Sequence, residues 1–235
     1  MHGRGVYREN SGHIYEGEYH RGMKHGKGVR KDSDGVITYE GEYARGEICG
    51  YGKQSRQGAT YEGEFVAGEW WGHGALTFTN GIMVEGQFES CKLHGKCKLS
   101  QPGIYSVDCE YSRGRCVAGS GWRRLGAQGE TLYEGQFSDD GNGLPAFHGS
   151  GVLTTPTWKY EGEFRQGLFN GHGKADHPGL MYTEGQFVGG NLHGRVYKKC
   201  ILDKDIEVDG CKFSWNAGDS AVCEYKENKR HGECT

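Results

Sequence analysis

Pairs of glutamates two residues apart recur along this chain, at Glu16/Glu18, Glu40/Glu42, Glu62/Glu64 and Glu161/Glu163. Two carboxylates so placed could divide the work of a general acid and a general base. Histidines His25, His94, His148, His193 and His231 follow at one shared position downstream of such motifs. A single active site needs one such set, whereas here the set returns in nearly every segment. Other segments put Cys49, Trp71 and Asn170 at the histidine's place. A catalytic base or metal ligand does not tolerate exchange for tryptophan. No nucleophile elbow, P-loop or HExxH motif is present, and the cysteines never form CxxC. No catalytic residue, metal site or cofactor is therefore expected, and the carboxylates read as the solvated face of a repeated element.

The elements that carry these residues follow from their alternation. Tyr15, Gly17 and Tyr19 interleave with Glu16 and Glu18, the period of two expected of a strand with one apolar and one wet face. The same period returns in "GALTFTNG", where Gly74, Leu76 and Phe78 share a face and Asn80-Gly81 is a turn pair. Aligned on the aromatic-Glu-Gly-Glu pattern, the anchors are Tyr15, Tyr39, Tyr61, Val84, Val107, Tyr133, Tyr160, Thr183 and Ala221. The first eight are spaced by 24, 22, 23, 23, 26, 27 and 23 residues. Each unit reads as a β-hairpin closed near the glycine equivalent to Gly22, which places Gly17 opposite Gly28 and Tyr61 opposite Leu76. Aromatic rings can then lie over the paired glycines.

One hairpin with two rings cannot offset the ordering of its own backbone, at about 1–2 kcal/mol per residue, so neighbouring units must stack. The expected fold is all-β: an elongated single-layer antiparallel sheet of consecutive hairpins, curled into a groove. Residues 1–199 form about eight hairpin units plus an N-terminal half unit. Residues 200–235 form a divergent C-terminal unit or cap, because the stretch from Ile201 to Ser220 does not fit the frame.

"YEGEYHRGMKHGKG", "YEGEYARGEICGYG", "YEGEFVAGEWWGHG" and "YEGEFRQGLFNGHG" resemble MORN repeats (membrane occupation and recognition nexus). The resemblance covers about residues 1–199 and returns in degenerate form at "AVCEYKENKRHGEC". It implies a non-catalytic scaffold or adaptor for protein partners at cytoskeletal or membrane-associated structures. Two alternatives come with it: a phosphoinositide-binding membrane tether, or the regulatory module of a lipid kinase or lysine methyltransferase whose catalytic domain lies outside this chain.

Composition sets bounds on these classes. Of 235 residues 34 % are hydrophobic, which disfavours a large conventional core, while 12 % aromatics argue against disorder. The 43 glycines occur without a Gly-X-Y period, so collagen is excluded. A net charge of −3 with both signs interspersed points away from nucleic acid as a partner. No apolar run of spanning length and no leader-like N-terminus is present, so a cytoplasmic protein is expected, with association at the cytoskeleton or a membrane.

Candidate surfaces come from units that break the pattern. Trp70 and Trp71, being adjacent on a strand, face opposite ways, and with Arg113, Arg115, Arg123 and Arg124 they are the candidate partner-binding residues. Lys24, Lys27, Arg30 and Lys31 are the candidate lipid-facing cations for an anionic phospholipid. Cysteine replaces glycine in the frame: Cys109 and Cys223 at the Gly17 position, Cys97 and Cys234 at the Gly28 position. Cys223 and Cys234 thus form a candidate cross-strand pair, although nine cysteines without a signal peptide favour reduced thiols. The chain begins and ends in the same phase of the repeat, which leads to an expectation of self-association through exposed end strands or of a longer parent protein.

Overall fold

The computed structural model describes residues 2–126, 129–201, 204–208 and 211–235. The chain is all-β, an open antiparallel sheet of consecutive hairpins with no helix among the described residues. Two compact units are distinguished, Met1–Pro102 with Asp108–Val117 and Gly103–Val107 with Ala118–Thr235.

The first unit contains β1 (Gly3–Arg8), β2 (Ile14–His20), β3 (Met23–Lys31), β4 (Ile37–Ala44), β5 (Glu47–Arg56), β6 (Ala59–Val66), β7 (Glu69–Phe78), β8 (Met83–Glu89) and β9 (Lys92–Gln101), each paired with its sequence neighbours. The division between units falls within β10 (Tyr105–Ser112) and β11 (Arg115–Leu125). The second unit continues with β12 (Thr131–Asp139), β13 (Pro145–Thr154), β14 (Lys159–Arg165), β15 (Leu168–His177), β16 (Met181–Val188), β17 (Asn191–Cys200), β18 (Lys204–Val208), β19 (Cys211–Trp215), β20 (Ser220–Lys226) and β21 (Lys229–Cys234).

Hairpin turns are closed by two residues at positive φ, such as Arg21 (51°) and Gly22 (80°), the geometry whose twist matches that of the flanking strands. Gly17 pairs with Gly28, and Tyr61 with Leu76, as the alternation requires. Between repeats the pairing is regular in β5–β6, β7–β8, β13–β14 and β15–β16, while β3–β4 shifts once, between Arg30 and Lys31. Within a repeat the pairing is irregular: Gly17 faces Gly28 but Glu18 faces His25, so Gly26 and Lys27 stand opposite no residue of β2. This bulge repeats in the hairpins β4–β5, β6–β7, β8–β9, β14–β15 and β16–β17. Gly26 lies at φ 60°, and its equivalents Gly50 and Gly72 take the same angle, which makes glycine the natural residue after the His position.

The core is a one-sided stack of rings. In the first unit Tyr19, Tyr15, Tyr43, Tyr39, Phe65, Tyr61 and Phe88 meet edge to face in succession, with centroids 5.0–5.4 Å apart. Phe137, Tyr133, Phe164, Tyr160 and Phe187 do the same in the second, at 5.0–5.3 Å. Each such contact contributes roughly 0.5–1.5 kcal/mol beyond area burial. Tyr15, Tyr61, Tyr133 and Tyr160 are fully covered.

Within the second unit β20 pairs directly with β17, Cys223 opposite Val196. The ladder therefore runs on past residue 199, and β18–β19 is a separate two-stranded insertion. The extra residues of the β12–β13 hairpin are organised by Asp139 and Asp140, whose carboxylates accept backbone N–H groups of Gly141, Gly143, Asn142 and Leu144 at 2.6–3.1 Å.

Candidate functional site

The bulge explains the second acid of each motif pair. It leaves a carbonyl and an amide without ladder partners, and buried backbone groups must find some. Tyr15 Oη donates to the Glu18 carbonyl at 2.9 Å, and the Glu18 carboxylate accepts the Lys27 N–H at 3.3 Å. Tyr61 with Glu64, and Tyr160 with Glu163, repeat the pair of bonds. Gln136 substitutes for glutamate with its amide oxygen 2.9 Å from the Ser150 N–H. Only an acceptor is required, so Glu and Gln interchange. The second carboxylate of each pair is thus a structural acceptor rather than only a solvated charge.

The first carboxylate belongs to a cross-strand row on the wet face. Glu16, Val29, Glu40, Lys53, Glu62, Ala75, Glu85 and Lys98 stand in sequence across eight strands. Glu16 pairs with the half-buried Lys31 (3.3 Å) and Glu62 with the exposed Lys53 (3.5 Å), surface pairs worth at most about 1 kcal/mol each. Beside this row lies a groove of about 460 Å³ floored by Gly28, Gly41 and Gly52. Its walls carry four carboxylates, Glu16, Glu40, Glu42 and Glu62, against three cations, Arg4, Lys27 and Lys53. The histidine position lies within the strand: His25 stands opposite Glu18, as Trp71 stands opposite Glu64.

Buried phenols need their protons. Burial pushes Tyr15, Tyr61 and Tyr160 up to about 12, and Tyr39 and Tyr133 higher still. They remain donors at neutral pH. The Cys97 thiol is also raised, chiefly by burial, and the Cys109 thiol by its hydrogen bond with Cys116. Neither is a poised nucleophile.

Six segments, residues 15–37, 39–57, 61–83, 160–178, 184–195 and 224–235, match the model of the MORN repeat family. The chain is a MORN-repeat protein. No curated protein matches it. The family matches pass over residues 84–159, yet the β8–β9 hairpin carries the same bulge as β6–β7.

Among the residues singled out by sequence, Trp70 and Trp71 do face opposite ways. Trp70 stacks on Tyr61 at 4.5 Å and donates its indole N–H to Gln54 at 2.9 Å, whereas Trp71 is 40 % exposed on the wet face. Tyr51, 56 % exposed with its hydroxyl 3.4 Å from Glu62, joins Trp71 on that face. Sequence reasoning overlooked it, although its place beside Gly52 marked it as wet-facing. Lys24, Lys27, Arg30 and Lys31 do not form one patch. Lys24 covers the Tyr15 ring at 4.9 Å, and Arg30 stands between Tyr15 and Tyr39 on the aromatic face. Lys27 lines the wet groove, and Lys31 pairs with Glu16. Strand alternation divides cations that are close in sequence.

Arg113 lies at the β10–β11 turn with φ 51°, and Arg115 is exposed beside it. In the other unit Arg123 pairs opposite Tyr133, and Arg124 donates to the Gly129 carbonyl at 3.3 Å. Cys223 and Cys234 are partners in register and are joined by a disulfide. Among the described residues no group of three His, Cys, Asp or Glu could hold a metal ion.

Proposed function

We propose that the chain is a non-catalytic adaptor whose wet MORN face docks protein partners, acting in the cytoplasm at cytoskeletal or membrane-associated structures. The supporting observation is the division of labour within each repeat. Tyr15, Tyr61 and Tyr160 are committed to the core, and Glu18, Glu64 and Glu163 to the bulge, which leaves the exposed ladder and its groove available for recognition. Trp71 and Tyr51 give that face two rigid aromatic anchors amid mixed charge, the composition of interface hot spots. A partner segment bearing both basic and acidic side chains fits the walls of the groove.

Quantitative affinity capture from cell extract, comparing the natural chain with a Trp71→Ala/Tyr51→Ala variant, tests the reading. A defined set of proteins should be lost with the double substitution. Retention of every specific partner by the variant would overturn it. Phospholipid tethering through Lys24, Lys27, Arg30 and Lys31 is weakened as an alternative by their division between two faces.

A further inference from the structure

A second cavity, separate from the wet groove, has a different chemistry. It measures about 330 Å³ and is lined by His13, Arg30, Thr38, Gln54, Ser55 and Arg56, against a wall of Tyr39 and Ile48. That volume is at the small end for ligand sites. Its charged lining is entirely basic, and no carboxylate lines it. Neither arginine has an ion-pair partner among the described residues.

Arg30 Nε is buried without a hydrogen-bond partner, and so is the neighbouring Tyr43 hydroxyl, which lies within electrostatic reach of Arg30. A buried, unpaired guanidinium N–H costs free energy unless something accepts it. The Gln54 side chain is held by Trp70, whose indole N–H donates to Gln54 Oε1, so the amide's N–H₂ end remains for the cavity. Two carboxylates stand close by without lining it: Glu9 pairs with Lys24 at 3.5 Å and acts on Tyr43, and Asp32 lines an adjoining cavity that shares Thr38, Ser55 and Arg56.

We propose that this cavity binds a phosphate-type oxyanion carried by a small molecule, with Arg30 and Arg56 as its cationic donors and Gln54 as a neutral one. Guanidinium forks match the geometry of phosphate oxygens, and such charge-assisted bonds are roughly twice as strong as neutral ones. The site is independent of protein docking on the wet face and leaves the proposed adaptor role unaffected if it fails. The phosphate could belong to a soluble compound or to a lipid headgroup, and the two sources are separable by experiment.

Titration calorimetry of the full chain with inorganic phosphate and with inositol trisphosphate is the direct test, accompanied by Trp70 fluorescence as a reporter through Gln54. One saturable site per chain is expected. Arg56→Gln, which changes an exposed residue near the end of β5, should weaken it about tenfold, the loss of one charge-assisted hydrogen bond. Arg30→Gln should weaken it at least as much, with circular dichroism confirming that each variant is folded. Vesicles carrying phosphoinositide, compared with vesicles of equal charge carrying phosphatidylserine, then assign the source. Selective binding lost in Arg56→Gln indicates a headgroup, and binding of the soluble probes alone indicates a free phosphate compound. The proposal is overturned if neither soluble probe binds saturably, or if binding is unchanged in folded Arg56→Gln.

Discussion

The β6–β7 and β8–β9 hairpins share one register and one bulge but fill their centres differently. In β6–β7 the Tyr61 ring lies over Gly63 and Gly74, and a Cβ added at Gly74 would stand 2.5 Å from the ring. In β8–β9 Val84 replaces the tyrosine, and Cys97 replaces the second glycine. The exchange preserves more than volume. Tyr61 Oη donates to the carbonyls of Glu64 and Trp71, and Cys97 Sγ reaches the equivalent carbonyls of Gln87 and His94 at 3.8 and 3.7 Å. A weak S–H donor has taken over the phenol's contacts. Elsewhere the exchange takes other forms: Thr183 comes with a fully buried Val196, and Ala221 with the Cys223–Cys234 disulfide. The ring and the glycine pair behave as one steric set.

Alkaline titration should distinguish the two kinds of hairpin with the largest effect. The folded-state pKa of the buried phenols is raised, so their contribution is complete below the unfolded value near 10 and is lost as pH climbs through about 12. Hydrogen exchange across that window should show the tyrosine hairpins opening before β8–β9. Simultaneous opening would mean that the rings are not the distinction.

Substitutions inside β6–β7 come next. Tyr61→Ala should cost about 3–5 kcal/mol, and Gly74→Val about 1–3 kcal/mol through overpacking against the ring, both read from denaturant midpoints. A tolerated Gly74→Val would break the steric account. Smaller still is the bulge acceptor: Glu64→Ala should cost about 1–2 kcal/mol by orphaning the His73 N–H, while Glu64→Gln stays within about 0.5 kcal/mol. Equal losses in the two variants would show that charge, rather than an acceptor oxygen, is what the position needs.

Much of this fold was legible in the alternation of Tyr15-Glu16-Gly17-Glu18, because period two fixes both faces and places Gly17 against Gly28. The bulge was not legible from that period, since two unpaired residues preserve the alternation on either side. Its trace was present nonetheless, in the invariant glycine after the histidine position and in the exchange of Glu18 for Gln87 and Gln136. The cations from Lys24 to Lys31 divide between two faces because neighbours on a strand alternate sides, so closeness in sequence does not make a patch. The Arg30 cavity gave no sequence signal, because its residues come from three separate segments: His13 before β2, Arg30 on β3, and Gln54 with Arg56 on β5.

The steric set is tested most directly by moving it into the hairpin that lacks it. Val84→Tyr alone should destabilise by overpacking against Cys97, and Cys97→Gly alone should leave a void beneath Val84. Combined, the two substitutions recreate the β6–β7 arrangement. A double-mutant cycle by denaturant unfolding should return a favourable coupling of about 1–3 kcal/mol. Additive losses, with the double variant as damaged as the sum of its parts, would contradict the account.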